Sequence, residues 1–232
     1  MKAAAGVAAE LPLPGSGGGA RCPHLVFRNV LGAATVARLL EHVSRHQQDF
    51  RPAIIRSRQS GERRVDLGQR DCLYLGNLGP FKQMIAAFVR DATPRLLAEL
   101  QLAEAAVEPR EFEICAYGDG GHFGSHVDTN ELTVRVRVIS CVYYFAGTPP
   151  RFDGGALRLY GFPGRAAANA SAAPAFVDIA PQTDTLVAFP SWLRHEVRPV
   201  QVPSGMWSDR RFSVNCWLLR ASRAGEGGQP GH

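Results

Sequence analysis

Two segments in the first half of the chain carry apolar residues at the spacing of an amphipathic helix. The first runs from Ala33 to His46 and the second from about Phe81 to Leu102. Pro94 lies inside the second segment, and we expect it to kink or divide the helix. The apolar positions are Val36, Leu39, Leu40 and Val43 in the first segment, and Phe81, Met84, Ile85, Phe88 and Val89 in the second.

After Pro109 the pattern changes to short apolar runs separated by glycine and proline, which is typical of β-strands. Short strands are also predicted at residues 24–30 and 52–57, and the Ala-rich stretch from Gly164 to Pro174 is predicted to be a loop insertion. The strands predicted after Pro109 lie near 111–117, 121–128, 134–145, 155–160, 175–179, 185–189, 194–199 and 211–219. Two helices followed by these strands predict a mainly β fold, closed or sandwiched, with the helices packed on one sheet.

The 232-residue chain contains no linker-like stretch between these halves, so we predict one domain at residues 21–222. Its helical support would span 21–109 and its β core 110–220. Residues 1–20 are rich in alanine, glycine and proline and predict a disordered tail, and residues 223–232 predict a flexible C-terminal tail. The short apolar run at the N-terminus is not interpreted as a targeting signal, and no stretch has the roughly 18 apolar residues that a membrane helix needs.

The five cysteines are widely spaced, and three lie inside strand-like apolar runs. This pattern favours buried free thiols in a reducing cytoplasm over disulfides. The cysteines are Cys22, Cys72, Cys115, Cys141 and Cys216.

The net charge of +5 is modestly basic, and six arginines crowd the region from residue 51 to residue 70. Such a cluster could meet nucleic acid or an acidic protein surface. No aromatic residue is interleaved with these arginines as a base-stacking platform would require, so a solvated surface is favoured and no nucleic-acid partner is expected. The arginines are Arg51, Arg56, Arg58, Arg63, Arg64 and Arg70.

Candidate chemistry begins at the stretch from Tyr117 to Asp128, which ends in His126-Val-Asp128. Residues i and i+2 of a strand share a face, so His126 and Asp128 can reach one metal ion. His195 could supply a third ligand. Two histidines and one carboxylate leave coordination positions open and suit a non-haem Fe(II) oxygenase, whereas a structural zinc site would want four ligands.

Five segments in order resemble the prolyl-hydroxylase branch of the 2-oxoglutarate- and Fe(II)-dependent dioxygenases, over roughly residues 111–219. Phe123 stands where the family pattern has tyrosine. Arg211 stands where collagen-type members carry lysine, and arginine is typical of the oxygen-sensing type and its bacterial relatives. The segments are Tyr117-Gly-Asp-Gly-Gly-His-Phe-Gly-Ser-His126-Val-Asp128, Val138–Tyr144, Gly154–Tyr160, Phe189–Pro199 and Arg211–Trp217.

The resemblance implies a double-stranded β-helix, or jelly roll, with Fe(II) bound by His126, Asp128 and His195. His122 is the competing histidine, and we expect it in a loop or beside the metal ligands without binding the metal. The implied reaction consumes O₂ and 2-oxoglutarate, releases succinate and CO₂, and hydroxylates an unactivated C–H bond, with ascorbate as an optional reductant. No catalytic residue is expected beyond the metal centre.

The resemblance also implies where the cosubstrate binds. Arg211 would pair with the far carboxylate of 2-oxoglutarate, since a guanidinium can hold a carboxylate with two parallel hydrogen bonds. Tyr144 would donate a hydrogen bond to the same carboxylate, and its neighbour Tyr143 would face the other side of the strand. Tyr117 would line the pocket, and Ser213, on the same strand face as Arg211, could add a hydrogen bond.

The sequence also gives expectations for the surroundings of these residues. Trp217 is interpreted as core, Arg210 as exposed, and Glu196 as exposed or beside the metal ligands. Isolated polar and aromatic residues and one charged loop could line a substrate entrance, although simple surface positions are favoured for each. These are Asn130, Arg137, Tyr160 and the loop from Gln59 to Asp71.

The leading substrate hypothesis is a prolyl residue of a protein or peptide, and the alternative is a free amino acid or small secondary metabolite. Nucleic-acid demethylation would require an Arg-x-Asn pattern, and Ser213 stands at the asparagine position after Arg211. A catalytically inactive binding domain would lack a metal ligand or the basic anchor, and this chain has both. No membrane partner is expected.

Overall fold

The computed structural model describes residues 9–10, 22–56, 62–103, 106–129, 137–161 and 176–221. Two α-helices, α1 (Ala33–Arg45) and α2 (Phe81–Glu99), precede most of the strands, and short 3-10 helices span Gln47–Asp49 and Trp207–Asp209. The strands are β1 (Ala9–Glu10), β2 (Leu25–Arg28), β3 (Arg51–Pro52), β4 (Ile55–Arg56), β5 (Arg63–Arg64), β6 (Arg70–Asp71), β7 (Leu73–Leu75), β8 (Val107–Tyr117), β9 (His122–His126), β10 (Arg137–Phe145), β11 (Asp153–Gly154), β12 (Leu157–Tyr160), β13 (Phe176–Ile179), β14 (Thr185–Pro190), β15 (His195–Val197), β16 (Val200–Gln201) and β17 (Arg211–Arg220).

Both predicted helices are present, and each buries the apolar face that its sequence indicates. Of the two effects expected of Pro94, a kink or a division of the helix, the division does not occur, because α2 continues through the proline. Val89 before the proline and Leu96 after it are both fully buried. Tertiary packing on both sides of the proline therefore outweighs the loss of one backbone hydrogen bond.

The strands form two principal antiparallel sheets, and each of the eight strands predicted after Pro109 has a counterpart in them. The larger sheet has eight strands in the order β1-β2-β14-β10-β17-β8-β7-β3. The smaller has five in the order β13-β12-β15-β9-β6, and β11–β16 and β4–β5 form separate pairs. This arrangement is the predicted mainly β fold with two supporting helices.

The larger sheet has two buried faces with different neighbours. Its outer face packs against α1 and α2 in an apolar core that includes Leu39, Ile85 and Tyr143. Its inner face packs against the smaller sheet, where Tyr144 on β10 meets Leu157 on β12. Because successive residues of a strand alternate between faces, each long strand serves both layers.

Several predictions concern the termini and loops. Ala9 and Glu10, within the segment predicted as a disordered tail, form β1 and pair with Phe27 and Val26. The predicted loop insertion at 164–174 and the C-terminal tail at 223–232 lie outside the described residues. All five cysteines are free thiols, as expected. Among the residues that the structure describes, no helix is both long and apolar enough to cross a membrane.

Candidate metal and cosubstrate site

Two paired strands of the smaller sheet bring the predicted metal ligands together. His126 ends β9, His195 begins β15, and the two residues are directly opposite each other in the antiparallel pairing. Asp128 follows two residues after His126. The Nε2 atoms of both histidines lie 3.6 Å from the Asp128 carboxylate, one from each oxygen. One ligand atom from each residue can be chosen so that all lie within 4.8 Å of one another, close enough to surround one ion.

Backbone carbonyls orient both imidazole rings. Nδ1 of His126 donates to the carbonyl of Gly124, and Nδ1 of His195 donates to that of Leu193, each over 2.8 Å. Burial, and then the neighbouring His126, lower the pKa of His195 to about 4. The imidazole of His195 is therefore neutral at neutral pH, and its Nε2 lone pair points toward the cluster, as metal ligation requires.

The Asp128 carboxylate is held through one oxygen. Ser140 Oγ donates to Oδ2 over 2.6 Å, and the indole Nε1 of Trp217 donates to the same atom over 2.8 Å. Burial raises the pKa of Asp128, but His195, His126 and the Ser140 hydrogen bond together lower it well below its usual range. Trp217, predicted as core only, thus contacts the metal cluster. Ser140 was missed, although it shares the inner face of β10 with Tyr144.

Arg211 is the least compensated charge in this part of the molecule. The residue is 1 % exposed, and its Nε donates to the carbonyl of Gly155 over 2.8 Å. Both terminal nitrogens, Nη1 and Nη2, are buried with no hydrogen-bond partner among the described residues. Gly155 has a positive φ of 64°, and a Cβ there would lie 2.6 Å from the Arg211 Cδ, so only glycine fits this approach. A buried, unpaired guanidinium is costly, which indicates an anionic ligand.

Two tyrosines surround this guanidinium. Tyr117 is directly opposite Arg211 in the β8–β17 pairing, and the Arg211 Cζ lies 4.8 Å from its ring centroid and 4.9 Å from that of Tyr144. The Tyr144 hydroxyl is buried and, among the described residues, has no hydrogen-bond partner. Burial raises the pKa of Tyr144 and Arg211 opposes that rise, so the hydroxyl is protonated and able to donate. Ser213, opposite Tyr144, donates to Asn215 Oδ1 over 3.3 Å.

Comparison with known proteins identifies the family. Residues 112–219 match the model of the 2OG-Fe(II) oxygenase superfamily. This part of the chain is a 2OG-Fe(II) oxygenase domain. An uncharacterized PKHD-type hydroxylase of Synechocystis is 31 % identical to the chain over 148 residues, which is 64 % of this chain and 48 % of that protein. The chain therefore spans about half the length of this curated relative.

Solved structures resemble the oxygenase domain and its helical support in fold. A prolyl-4-hydroxylase of Pseudomonas putida superposes with a TM-score of 0.61 at 21 % identity, covering 85 % of this chain and 93 % of that one. A prolyl hydroxylase of Trichoplax adhaerens, solved with a hypoxia inducible factor peptide, gives 0.59 at 18 % identity, with coverages of 86 % and 84 %. The expected jelly roll and the resemblance to prolyl hydroxylases are confirmed.

The residues of the oxygenase domain fit Fe(II) and 2-oxoglutarate, the metal and cosubstrate of this family. The histidine and aspartate cluster and Arg211 line one cavity of about 970 Å³. One end of the cavity offers two imidazoles and a carboxylate oxygen. The other offers the unpaired Arg211 nitrogens and the Tyr144 hydroxyl, which match a carboxylate.

The arginine-rich region contributes one buried residue to the oxygenase domain, so the prediction of a solvated surface is wrong at Arg70. Its side chain is 10 % exposed, and Nη2 donates to Glu113 Oε1 over 2.8 Å. The Arg70 Cζ also lies 4.8 Å from the ring centroid of Phe123, which in turn stacks on His126 at 3.6 Å. A buried strand pairing, β6 with β9, places Arg70 opposite Phe123, and this contact has no signal in the local sequence.

The structure also describes three other residues considered in the sequence: His122, Arg210 and Glu196. His122 begins strand β9 rather than lying in a loop, contacts the carbonyls of Gly120 and Gly68, and is not part of the ligand cluster. Arg210 is half-buried rather than exposed, with its Cζ 4.9 Å from the ring centroid of Trp207. Glu196 pairs with Arg198 over 2.9 Å, away from the cluster.

Of the residues considered for a substrate entrance, Arg137 and part of the charged loop line the cavity. Arg137 lines the cavity, stacks on Trp217 at 4.0 Å, and donates from Nε to Glu111 over 2.7 Å. The charged loop supplies several lining residues, whereas Tyr160 is not among the described residues that line the cavity, and Asn130 lies outside the described residues. The lining residues from the loop are Arg63, Arg64, Asp66, Gln69 and Arg70.

Proposed function

We propose that this protein is an Fe(II)- and 2-oxoglutarate-dependent dioxygenase that hydroxylates an unactivated C–H bond. The observation that carries the proposal is the pair of buried, unpartnered Arg211 nitrogens in the same cavity as the histidine and aspartate cluster. The Arg211 nitrogens do not stabilise the folded chain alone, since they are buried without partners among the described residues. Together with the histidine and aspartate cluster, they match a metal ion and a dicarboxylate bound side by side.

Three side chains would hold the metal: His126 and His195 through Nε2, and Asp128 through Oδ1. The carbonyls of Gly124 and Leu193 fix the two rings in the required tautomer. When bound, Fe(II) and 2-oxoglutarate supply O₂ activation and C–H hydroxylation, with succinate and CO₂ released. No acid or base from the protein is needed, so we assign none.

The protein would bind the far carboxylate of 2-oxoglutarate through Arg211. Nη1 and Nη2 of Arg211 would donate to its two oxygens, and the Tyr144 hydroxyl would donate to one of them. Tyr117 would form the wall beside them. Ser213 already donates to Asn215, so its hydroxyl would have to rotate to reach the cosubstrate.

For the substrate, we propose a prolyl residue of a protein or peptide. The prolyl hydroxylases among the fold relatives, one of them solved with a peptide, support this choice. So does the size of the cavity, about 970 Å³, whose lining includes Arg63, Arg64, Asp66, Gln69 and Arg70. A small polar molecule is the alternative, and the ion pair between Arg70 and Glu113 in the cavity wall favours it.

The test of the activity is succinate formation by the purified protein with Fe(II), 2-oxoglutarate and O₂. Asp128→Ala and Arg211→Ala should abolish it. His122→Ala is the matched control, since this histidine lies on the same strand as His126 but outside the cluster, and it should retain activity. Absence of both metal and 2-oxoglutarate binding in the wild-type protein would refute the proposal.

The test of the substrate compares proline-containing peptides with free amino acids. The product should gain the mass of one oxygen atom, with a matching yield of succinate. A gain in the peptides alone supports the prolyl proposal, and a gain in the free amino acids alone refutes it.

A further inference from the structure

Cross-strand register arranges the inner face of the larger sheet in rows. Arg211 is opposite Tyr117, and in the next row Ser213 is opposite both Tyr144 and Cys115. These two rows contain the residues proposed for the cosubstrate. Rows on one face are separated by two residues along each strand, or about 6.5–7 Å.

The fourth row contacts the metal cluster, because Ser140 is opposite Trp217 and both donate to Asp128. The third row lies between the metal row and the cosubstrate rows. It consists of Val142 on β10, Asn215 on β17 and Glu113 on β8. Within the larger sheet, the residues that contact the metal cluster or are proposed for the cosubstrate lie mainly on β10 and β17, so the part of the cavity over β8 remains for the substrate.

Glu113 is the charged residue at this place, and one of its oxygens is fully engaged. Oε1 accepts hydrogen bonds from Arg70 Nη2 over 2.8 Å, from Asn215 Nδ2 over 3.3 Å and from the Cys115 thiol over 3.4 Å. Oε2 accepts no hydrogen bond from the residues that the structure describes. The side chain is 22 % exposed and lines the cavity, so Oε2 is available to a ligand.

We propose that Glu113 Oε2 binds a positively charged nitrogen of the substrate, an ammonium or a guanidinium, close to the hydroxylated carbon. The inference rests on the proposed function and names the substrate class of that same site. A carboxylate has about four acceptor positions, and three donors already converge on Oε1. A substrate with only apolar atoms opposite Oε2 would displace water and leave a charged oxygen unpaired.

The other carboxylates of the cavity are less suited to this role. Glu111 is 44 % exposed in its side chain and pairs with Arg137 through both Nε and Nη2. Asp66 accepts from Arg64 through one oxygen and from the backbone of Gln69 through the other. Asp128 belongs to the metal cluster. Among these four carboxylates, Glu113 combines three hydrogen bonds to one oxygen with a second oxygen that accepts none from the described residues, on a side chain that lines the cavity.

Arg70 sets the orientation of this carboxylate and does not block it. Its Nη2 contacts Oε1 and the Cys115 sulfur, at 2.8 Å and 3.3 Å. Its Nε is buried and has no hydrogen-bond partner among the described residues. The substrate nitrogen could belong to a small amino compound or to a basic side chain beside a prolyl residue, because both present the same N–H donors.

The experiment measures binding of two matched probe pairs by calorimetry, to protein loaded with Zn(II) and 2-oxoglutarate so that no turnover occurs. The small pair is L-proline and tetrahydrofuran-2-carboxylate, in which an ether oxygen replaces the ring ammonium. The peptide pair is acetyl-Ala-Pro-Lys-amide and the same peptide with norleucine in place of lysine. The charged member of at least one pair should bind about 10- to 100-fold more tightly, as expected for a hydrogen bond to a charged group.

Two variants assign this preference to Glu113. Glu113→Gln should reduce it to about threefold or less, because the amide lacks the charge that a cation requires. Glu108→Gln is the matched control, an exposed glutamate of the same strand paired with Arg110, and it should keep the full preference. Which pair shows the preference distinguishes a small amino compound from a basic peptide.

The inference is overturned if charged and uncharged members bind equally in the wild-type protein, if no probe binds, or if the preference survives in Glu113→Gln. The comparison of charged and uncharged probes on the wild-type protein tests the proposal even if Glu113→Gln does not fold. Failure of the protein to bind Zn(II) or 2-oxoglutarate would instead refute the proposed function itself. The two failures are therefore distinguishable.

Discussion

Tyr143 and Tyr144 are neighbours on β10, and both are buried, but they lie on opposite faces of the same sheet. The Tyr143 hydroxyl donates to Asp184 over 2.9 Å, within the core that α1 and α2 cover. The Tyr144 hydroxyl has no partner among the described residues and faces the cavity beside Arg211. The outer face thus satisfies its polar atoms within the protein, and the inner face leaves polar atoms for ligands.

The contrast extends along the whole sheet. The outer face is an apolar core, in which Leu39 and Ile85 of the helices pack on the strands. The inner face carries buried charged and polar residues at the rows described above, including Arg211 at 1 % exposure. Stability and ligand binding are therefore expected to separate by face, and variants on either face test this expectation.

Arg211→Met should give the largest effect on ligand binding. Affinity for 2-oxoglutarate should fall roughly 30- to 4,000-fold, since one partner of a buried charge pair is lost (~2–5 kcal/mol). The stability of the ligand-free protein should not fall, because the variant removes an unpaired buried charge. Calorimetry with Zn(II)-loaded protein and thermal unfolding measure the two quantities. A large drop in Tm with unchanged affinity would contradict the comparison.

Leu39→Ala on α1 should show the reverse behaviour. This fully buried side chain lies on the outer face, and its truncation should cost about 2–5 kcal/mol of unfolding free energy. Urea denaturation measures the loss. The affinity of the folded protein for 2-oxoglutarate should stay within about twofold of wild type, as for sites with no shared contacts. A matching loss of affinity would show that the faces are coupled.

Trp217→Phe should have an intermediate effect, and the quantity it should change is the affinity for the metal. The variant keeps the aromatic ring and removes the Nε1 hydrogen bond to Asp128 Oδ2. Metal affinity should fall about 10- to 100-fold, the range found when a group that orients a ligand is lost. Competition with a metal chelator measures this. Trp192→Phe, at an exposed position, is the matched control. Unchanged metal affinity in Trp217→Phe would show that Ser140 alone orients the carboxylate.

The smallest effects are expected for the variants Tyr143→Phe and Tyr144→Phe. Tyr143→Phe should destabilise the fold by about 1 kcal/mol, because it removes a satisfied hydrogen bond to Asp184. Tyr144→Phe should leave stability unchanged and weaken 2-oxoglutarate binding about 5- to 10-fold. Urea denaturation and calorimetry on both variants check the pair. Equal losses of unfolding free energy in the two variants would contradict the separation of stability and ligand binding by face.

Much of the fold could be predicted from the sequence, since long periodic segments carry their own signal. Both helices and each of the eight strands expected after Pro109 were found. The two-residue strands β5, β6, β11 and β16 were missed, because two residues show no periodicity. The sequence left open whether Pro94 divides α2, since the packing that holds the helix together comes from distant strands.

For the candidate site, the sequence determined the chemical groups and their strand faces. His126 and Asp128 share a face by their spacing, and His195 and Arg211 were identified from segments in a recognisable order. Local spacing is a property of one strand, so it can be read without knowledge of the fold.

Only the tertiary structure decided which of these groups meet and what else meets them. Cross-strand register brought Trp217 and Ser140 into hydrogen bonds with Asp128 and placed Arg70 against Phe123. It also placed Glu113 in the lining of the cavity. Register depends on how separate strands align and pack, and a shift by one residue would turn every side chain to the other face. Burial without a partner, which singles out Arg211 and Tyr144, likewise exists only once the two sheets close around them.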